Sequence, residues 1–434
     1  MKRRGFLQQQ LAGIAGWSLA GRTAYATAAE DRTLNKLVVI MLRGGVDGLS
    51  VAVPHTESEY LHSRDTIALA APGKSEGSLL PLDARFGLHP ALARLHPLWE
   101  RGDLAFVHAS GSPDPTRSHF DAQDFMESGT PGRRSTPDGW MNRLLTALPG
   151  PESPTRALSL GAAPSRILAG KARVASLRPG PRALETNAID APAMQAALSR
   201  LYAQDAGMQQ GLRQATEGRS EMQRSMATVP APGSEGASQA ASQIGSQAGP
   251  MMGDPGADAG AVTTTGFAAD AYRMGRLIHA NRATQLAFTA VGGWDTHFNQ
   301  GGARGQLANR LSSLAEGLDA LTKGLGDSYR RTVIVVLSEF GRTLRQNGTG
   351  GTDHGRGNVI WLLGGAVAGG RILGEWPGLD RSALIEGRDL AVITDFRAVL
   401  SPLLQAHLQA SDSVMTEVFP NYTGGELRDR VLKS

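Results

Sequence analysis

Five short runs of aliphatic and β-branched residues punctuate the chain: residues 36–42 (KLVVIML), 104–109 (LAFVHA), 285–291 (QLAFTAV), 332–338 (TVIVVLS) and 358–364 (NVIWLLG). The runs are continuous rather than alternating, which is the pattern of strands covered on both faces. Between them the apolar period changes from strand to helix. Leu307, Leu311, Leu314, Leu318, Leu321 and Leu325 are spaced four, three, four, three, four, one apolar stripe fit to pack on a sheet. A more polar helical stretch covers about 191–225, and another helix runs from Phe267 to His279. Strands alternating with such helices predict an α/β domain, a three-layer α/β/α sandwich around a mostly parallel central sheet. Residues 229–262 have almost no large apolar side chains and are rich in Gly, Ser, Ala, Gln and Pro, so they read as a flexible connector inserted into one fold.

The N-terminus changes the picture of charge and compartment. KRRGFLQ, the mildly apolar Leu11 to Ala20 and the small-residue pattern Ala24-Tyr25-Ala26 make residues 1–26 a twin-arginine export signal, leaving 27–434 as one periplasmic or secreted domain. The apolar stretch is too short for a permanent span, and no other run reaches the roughly 18 residues that one needs, so no transmembrane segment is expected. Removing the signal takes away Lys2, Arg3, Arg4 and Arg22 and no acid, which brings the formal charge from +4 to zero. The basic balance of the whole chain is then no argument for nucleic acid. With no cysteine in the sequence, disulfides, thiolate ligands and cysteine nucleophiles are all excluded, and any chemistry rests on oxygen and nitrogen.

In open parallel sheets, ligands bind beyond the carboxyl ends of the strands. The residues that follow the runs there are Asp47, then Ser118, His119 and Asp121, then Asp295 and His297, then Glu339 and Arg342; Asp353 and His354 precede the last run. Five segments thus bring carboxylates and imidazoles toward one edge. Such a set suits one or two divalent cations, Zn, Mn, Mg or Ca, with Asp295, His297 and His354 as the main ligands and Asp47, Glu339 and Asp353 assisting. Ser118, or Thr116 beside it, is the candidate nucleophile, with His119 next to it, and Arg117 or Arg342 could hold an anionic group by a bidentate fork. Each reading has a plainer rival. Asp47 could cap its own glycine-rich turn, Ser118 could be a helix N-cap with His119 merely starting that helix, Asp353 could cap a turn, and Glu339 with Arg342 could be a structural ion pair.

The segments GGVDGLS, RSHFDAQD, GWDTH, LSEFGRT and GTDHGRGN resemble those of a bacterial family of twin-arginine-exported proteins placed in the alkaline phosphatase and sulfatase superfamily. The resemblance covers Lys36 to about Leu379 apart from the connector. It implies an alkaline-phosphatase-like sandwich and metal-dependent hydrolysis or transfer of phosphate or sulfate esters. Asp47 resembles the first-strand metal ligand, Asp295 with His297 the Asp/His pair of one metal, and His354 the later histidine that returns to it. Glu339 stands where an aspartate is usual and Phe340 where the second metal's histidine would be. Pro113 occupies the place of the residue converted to formylglycine, which excludes that chemistry. The other reading is an exported binding or assembly protein that keeps the fold with a degenerate or structural metal site.

Overall fold

All five apolar runs are strands of a single nine-stranded sheet in the computed structural model, which describes residues 34–433 except 135, 162–164, 187, 228–255 and 426. The proposed signal, residues 1–26, and most of the proposed connector lie outside the described residues. In chain order the strands are β1 (Lys36–Leu42), β2 (Ala52–Val53), β3 (Leu80–Pro81), β4 (Gly87–Leu88), β5 (Leu104–Gly111), β6 (Ala157–Leu160), β7 (Ala175–Leu177), β8 (Leu286–Val291), β9 (Thr332–Ser338), β10 (Asn358–Leu363), β11 (Arg371–Leu373) and β12 (Thr394–Asp395). The sheet runs β11-β5-β10-β9-β1-β8-β6-β7, with β12 paired to β5, while β2, β4 and β3 make a separate small antiparallel sheet.

Side-chain alternation splits the sheet into two faces and gives three layers. Val38, Ile40 and Leu42 of β1, with Ile334 and Val336 of β9, face one apolar layer; Leu37, Val39 and Met41, with Val333 and Val335, face the other. The first layer is covered by the leucine-striped helix Gln306–Leu325, whose six stripe leucines are all fully buried, and by the helix Phe267–Ala280. The second is covered by the helices Trp140–Ala147 and Phe396–Pro402. The fold is therefore α/β with helices on both faces of a mostly parallel sheet, as the periodicity implied. Among the described residues no helix is long and apolar enough to cross a membrane.

Three features differ from the sequence reading. The polar stretch 191–225 is two helices, Pro192–Leu201 and Ala206–Ala227, rather than one. Residues 256–262, assigned to the flexible connector, are docked: Val262 bridges Val291, and the carbonyl of Ala257 accepts from Gln123 Nε2 at 2.8 Å. Small side chains hid this, because backbone carbonyls and one aspartate make the contacts. Finally, β10 runs antiparallel to both β5 and β9. That reversal matters for the site, since it puts residues preceding β10 at the edge where the parallel strands end.

Candidate metal centre

Four polar side chains meet beyond the carboxyl ends of β1, β8 and β9. His119 is the first residue of the helix His119–Ser128 that follows β5; Asp295 and His297 follow β8; His354 lies just ahead of β10. Two glycines make the approach possible. A Cβ on Gly44, whose φ is +116°, would stand 2.6 Å from the amide nitrogen of Asp295, and one on Gly351 would stand 2.2 Å from the carbonyl of His297.

The ring nitrogens of all three histidines can be assigned from their partners. His119 Nδ1 faces Glu339 Oε1 at 2.8 Å, His297 Nδ1 faces Asp353 Oδ1 at 3.2 Å, and His354 Nδ1 faces the carbonyl of Arg117 at 2.9 Å. Carboxylates and carbonyls only accept, so each Nδ1–H donates, and Nε2 is the nitrogen left to take a cation when the ring carries no second proton. The three Nε2 atoms turn toward one another. His354 Nε2 is 3.1 Å from His119 Nε2 and 2.9 Å from His297 Nε2, and Asp295 Oδ1 lies 3.7, 3.0 and 3.2 Å from His119, His297 and His354. Arg342 Nη2 supplies one positive charge to Asp295 Oδ1 at 2.6 Å, and the close Nε2 atoms still need a proton or a cation between them. A cation about 2.0–2.1 Å from tetrahedral ligands sets neighbouring ligand atoms about 3.3 Å apart, close to these separations. The ligand atoms of His119, Asp295 and His354 all lie within 4.8 Å of one another, and His297 joins them through Asp295 and His354.

Outer groups hold this arrangement. Glu339 is fully buried and accepts from His119 Nδ1, from the amide of Gly44 at 2.8 Å and from Gln123 Nε2 at 3.1 Å. Burial works against its ionisation, but the imidazole of His119 beside it holds its carboxyl below the usual range. Burial likewise disfavours the charged form of Asp295, yet the three imidazoles against it, which can each share a proton with it, and the charge of Arg342 drive its pKa far below the ordinary value. Desolvation opposes a proton on His119, and Asp295 and Glu339 outweigh it, pushing the ring up to about 9. The cluster is thus built to hold positive charge, and a proton and a cation compete for it. Phe340 lies against both the His119 and His354 rings, with centroids 4.9 and 4.8 Å apart, an apolar wall where the resemblance placed a second-metal histidine.

Several expected residues take other roles. Asp47 is not a ligand: it is fully enclosed and its two oxygens are held by Arg64 at 2.5 and 3.0 Å, with Ser50 and Gln300 completing the shell. Gln300 in turn accepts from Thr296 and Thr352, the residues between or beside the clustered side chains, so Asp47 braces their loops from behind. Glu339 serves His119 and lies outside the ligand cluster. Asp353 is exposed and orients His297. Arg342 is no anion fork, because its guanidinium is buried and given to the carbonyls of Gly44, Gly45, Trp294 and Thr352 and to Asp295 at 2.6 Å. His119, expected beside a nucleophile, is in the cluster itself. Ser118 is exposed at the N-terminus of the helix and makes no capping hydrogen bond, while Thr116 Oγ1 accepts from the Ser118 amide at 3.2 Å; neither hydroxyl has a base against it among the described contacts.

Sequence reasoning missed Gln123, Arg64, Gln300 and Asp258. Gln123 was findable, since it sits one helical turn after His119 on the same face. Asp258 accepts from the amide of Gly293 at 2.8 Å near the ligand loop, and burial together with the nearby negative charges raises its pKa.

A family model described as "Protein of unknown function (DUF1501)" matches residues 106–419, which include all four clustered residues. No curated protein matches the chain. Among solved structures, the crystal structure of Ps i-CgsB in complex with k-i-k-neocarrahexaose aligns over 91% of this chain and 75% of that one, at 12% identity and a TM-score of 0.38.

Proposed function

We propose that this chain, which belongs to the DUF1501 family, holds one divalent cation on His119, Asp295, His354 and His297 and uses it to hydrolyse or transfer phosphate or sulfate esters. The observation that carries the reading is the convergence of three Nε2 atoms, each on a ring whose Nδ1 is already partnered, and one carboxylate oxygen on a common point. Three nitrogen donors favour zinc, with manganese behind it, over the oxygen-seeking magnesium and calcium. Asp47, paired with Arg64, and Phe340 leave a single cation where the resemblance allowed two. Such a cation supplies Lewis-acid polarisation of an ester oxygen and acidification of water.

The side chains of His297 and His354 are 27% and 23% exposed, so the cluster is open to solvent on that side. Arg342 is consumed internally, so the cation itself is what would hold an anionic group. Export through the twin-arginine route belongs to the same proposal and rests on the sequence alone.

The test pairs elemental analysis of purified protein with turnover of aryl phosphates and aryl sulfates. Wild type should carry about one zinc or manganese per chain and turn over at least one ester class, and His354→Ala should lose both metal and turnover. Metal content unchanged by that substitution would refute the centre. A second reading, an exported binding protein with a structural metal, is favoured by the four protein donors and by the Ser118 hydroxyl lacking a base. Full metal loading with no turnover of any ester would select it.

A further inference from the structure

Asp389 is the most enclosed carboxylate near the cluster that none of the roles above uses, and it lies in a stretch of sequence with no motif. Its side chain is fully buried and accepts from Arg117 Nη2 at 2.6 Å and from Arg388 Nε and Nη2 at 2.9 and 3.2 Å. The same two arginines hold His354 at both ends. The carbonyl of Arg117 accepts the Nδ1–H of the ring at 2.9 Å, and Arg388 Nη2 donates to the His354 carbonyl at 3.0 Å. Two guanidinium groups this close repel one another, and the buried carboxylate between them offsets this for both, with the more exposed Glu386 also meeting Arg117 Nη2 at 3.2 Å.

We infer that Asp389 is a positioning residue of the metal centre, holding through the Arg117 and Arg388 bracket the tautomer and aim of His354. The inference rests on the proposed centre. An ordinary structural ion pair would stabilise the chain without altering the affinity of the cluster for a cation, whereas groups that orient a ligating imidazole typically change it about 10- to 100-fold. The local backbone does not depend on the carboxylate. Leu344 N donates to the Arg388 carbonyl at 3.1 Å, Gly357 N to that of Leu390 at 2.8 Å, and Asp389 and Ile385 exchange hydrogen bonds at 2.9 and 3.0 Å.

The experiment titrates Zn²⁺ against a chromophoric chelator into metal-stripped full-length protein, for wild type, Asp389→Asn and Arg388→Gln, with the melting temperature of each metal-free protein measured alongside. Asp389→Asn should weaken zinc binding about 10- to 100-fold, beyond anything its metal-free melting temperature accounts for, and Arg388→Gln should weaken it less, by more than about threefold. Affinity of Asp389→Asn within about twofold of wild type overturns the inference. If Asp389→Asn does not fold, Arg388→Gln decides by the same threshold, its guanidinium being partly exposed and dispensable to the core. If wild type takes up no zinc, it is the proposed centre that fails, and the inference falls with it.

Discussion

Two buried polar regions lie side by side at the same end of the sheet, and their histidines are arranged in opposite senses. In the proposed cation centre His119, His297 and His354 donate through Nδ1 and turn Nε2 toward one another. In the region around Asp47, His89 Nδ1 accepts from the amide of Ala91 and its Nε2–H donates to the carbonyl of Gly302, while His108 Nδ1 accepts from Ala109 and its Nε2–H donates to Ala52. Both rings there are saturated by backbone, and Asp47 is saturated by Arg64, Ser50 and Gln300. Burial alone does not separate the groups, since His119 is nearly as enclosed as His89 and His108, although His297 and His354 are partly exposed. What separates them is that Nε2 of each clustered ring meets another ring or Asp295 instead of a backbone carbonyl.

The comparison breaks most severely if the saturated region proves dispensable. Arg64→Met leaves the Asp47 carboxylate enclosed without its counter-charge and should cost about 3–5 kcal/mol of unfolding free energy. Urea denaturation measures that loss, and elemental analysis of the folded fraction should find the metal content unchanged. Loss of metal at wild-type stability would instead show that the Arg64–Asp47 pair serves the cluster, through Gln300, more than the fold.

A smaller effect distinguishes the two kinds of histidine by pH. Burial lowers the pKa of His89 and of His108 to about 4, so between about pH 6.5 and 4 the unfolded chain binds more protons than the folded one. Their stabilisation is present above that window and is lost as pH falls through it, by about 2 kcal/mol each at pH 4.5. In metal-stripped protein His108→Gln should reduce the difference in stability between pH 7 and pH 4.5 by about that amount; an unaltered difference would show that this ring already carries a proton when folded.

The smallest expected effect sharpens the other side. Asp353→Asn keeps an acceptor for His297 Nδ1 but removes the charge at a mostly exposed position, and should weaken zinc binding about tenfold, near 1.4 kcal/mol, with the fold intact. An unchanged affinity would show that the charge of Asp353 does not act on the cluster through His297.

Much of the fold was legible because both periods were strong. The uninterrupted strands 36–42, 332–338 and 358–364 and the leucines from 307 to 325 left little choice of layer. The short strands β6, β7, β11 and β12 escaped because two to four residues carry no readable period. Asp295, His297 and His354 were named from their place after or before a strand and do converge. Asp47, Glu339 and Arg342 were equally well placed in sequence, and their roles were exchanged with that of His119 by partners that lie far along the chain.

The sequence alone determined the residue types at the sheet edge, the absence of thiolate chemistry and the layered α/β architecture, because composition and periodicity are local properties of the chain. Tertiary structure decided which of those residues converge and which are turned to other partners. That depends on whether Arg64, Gly44, Gln123 or the Arg117 carbonyl arrives to satisfy each polar atom, and on the reversal of β10 that brings His354 to the edge where β8 and β9 end.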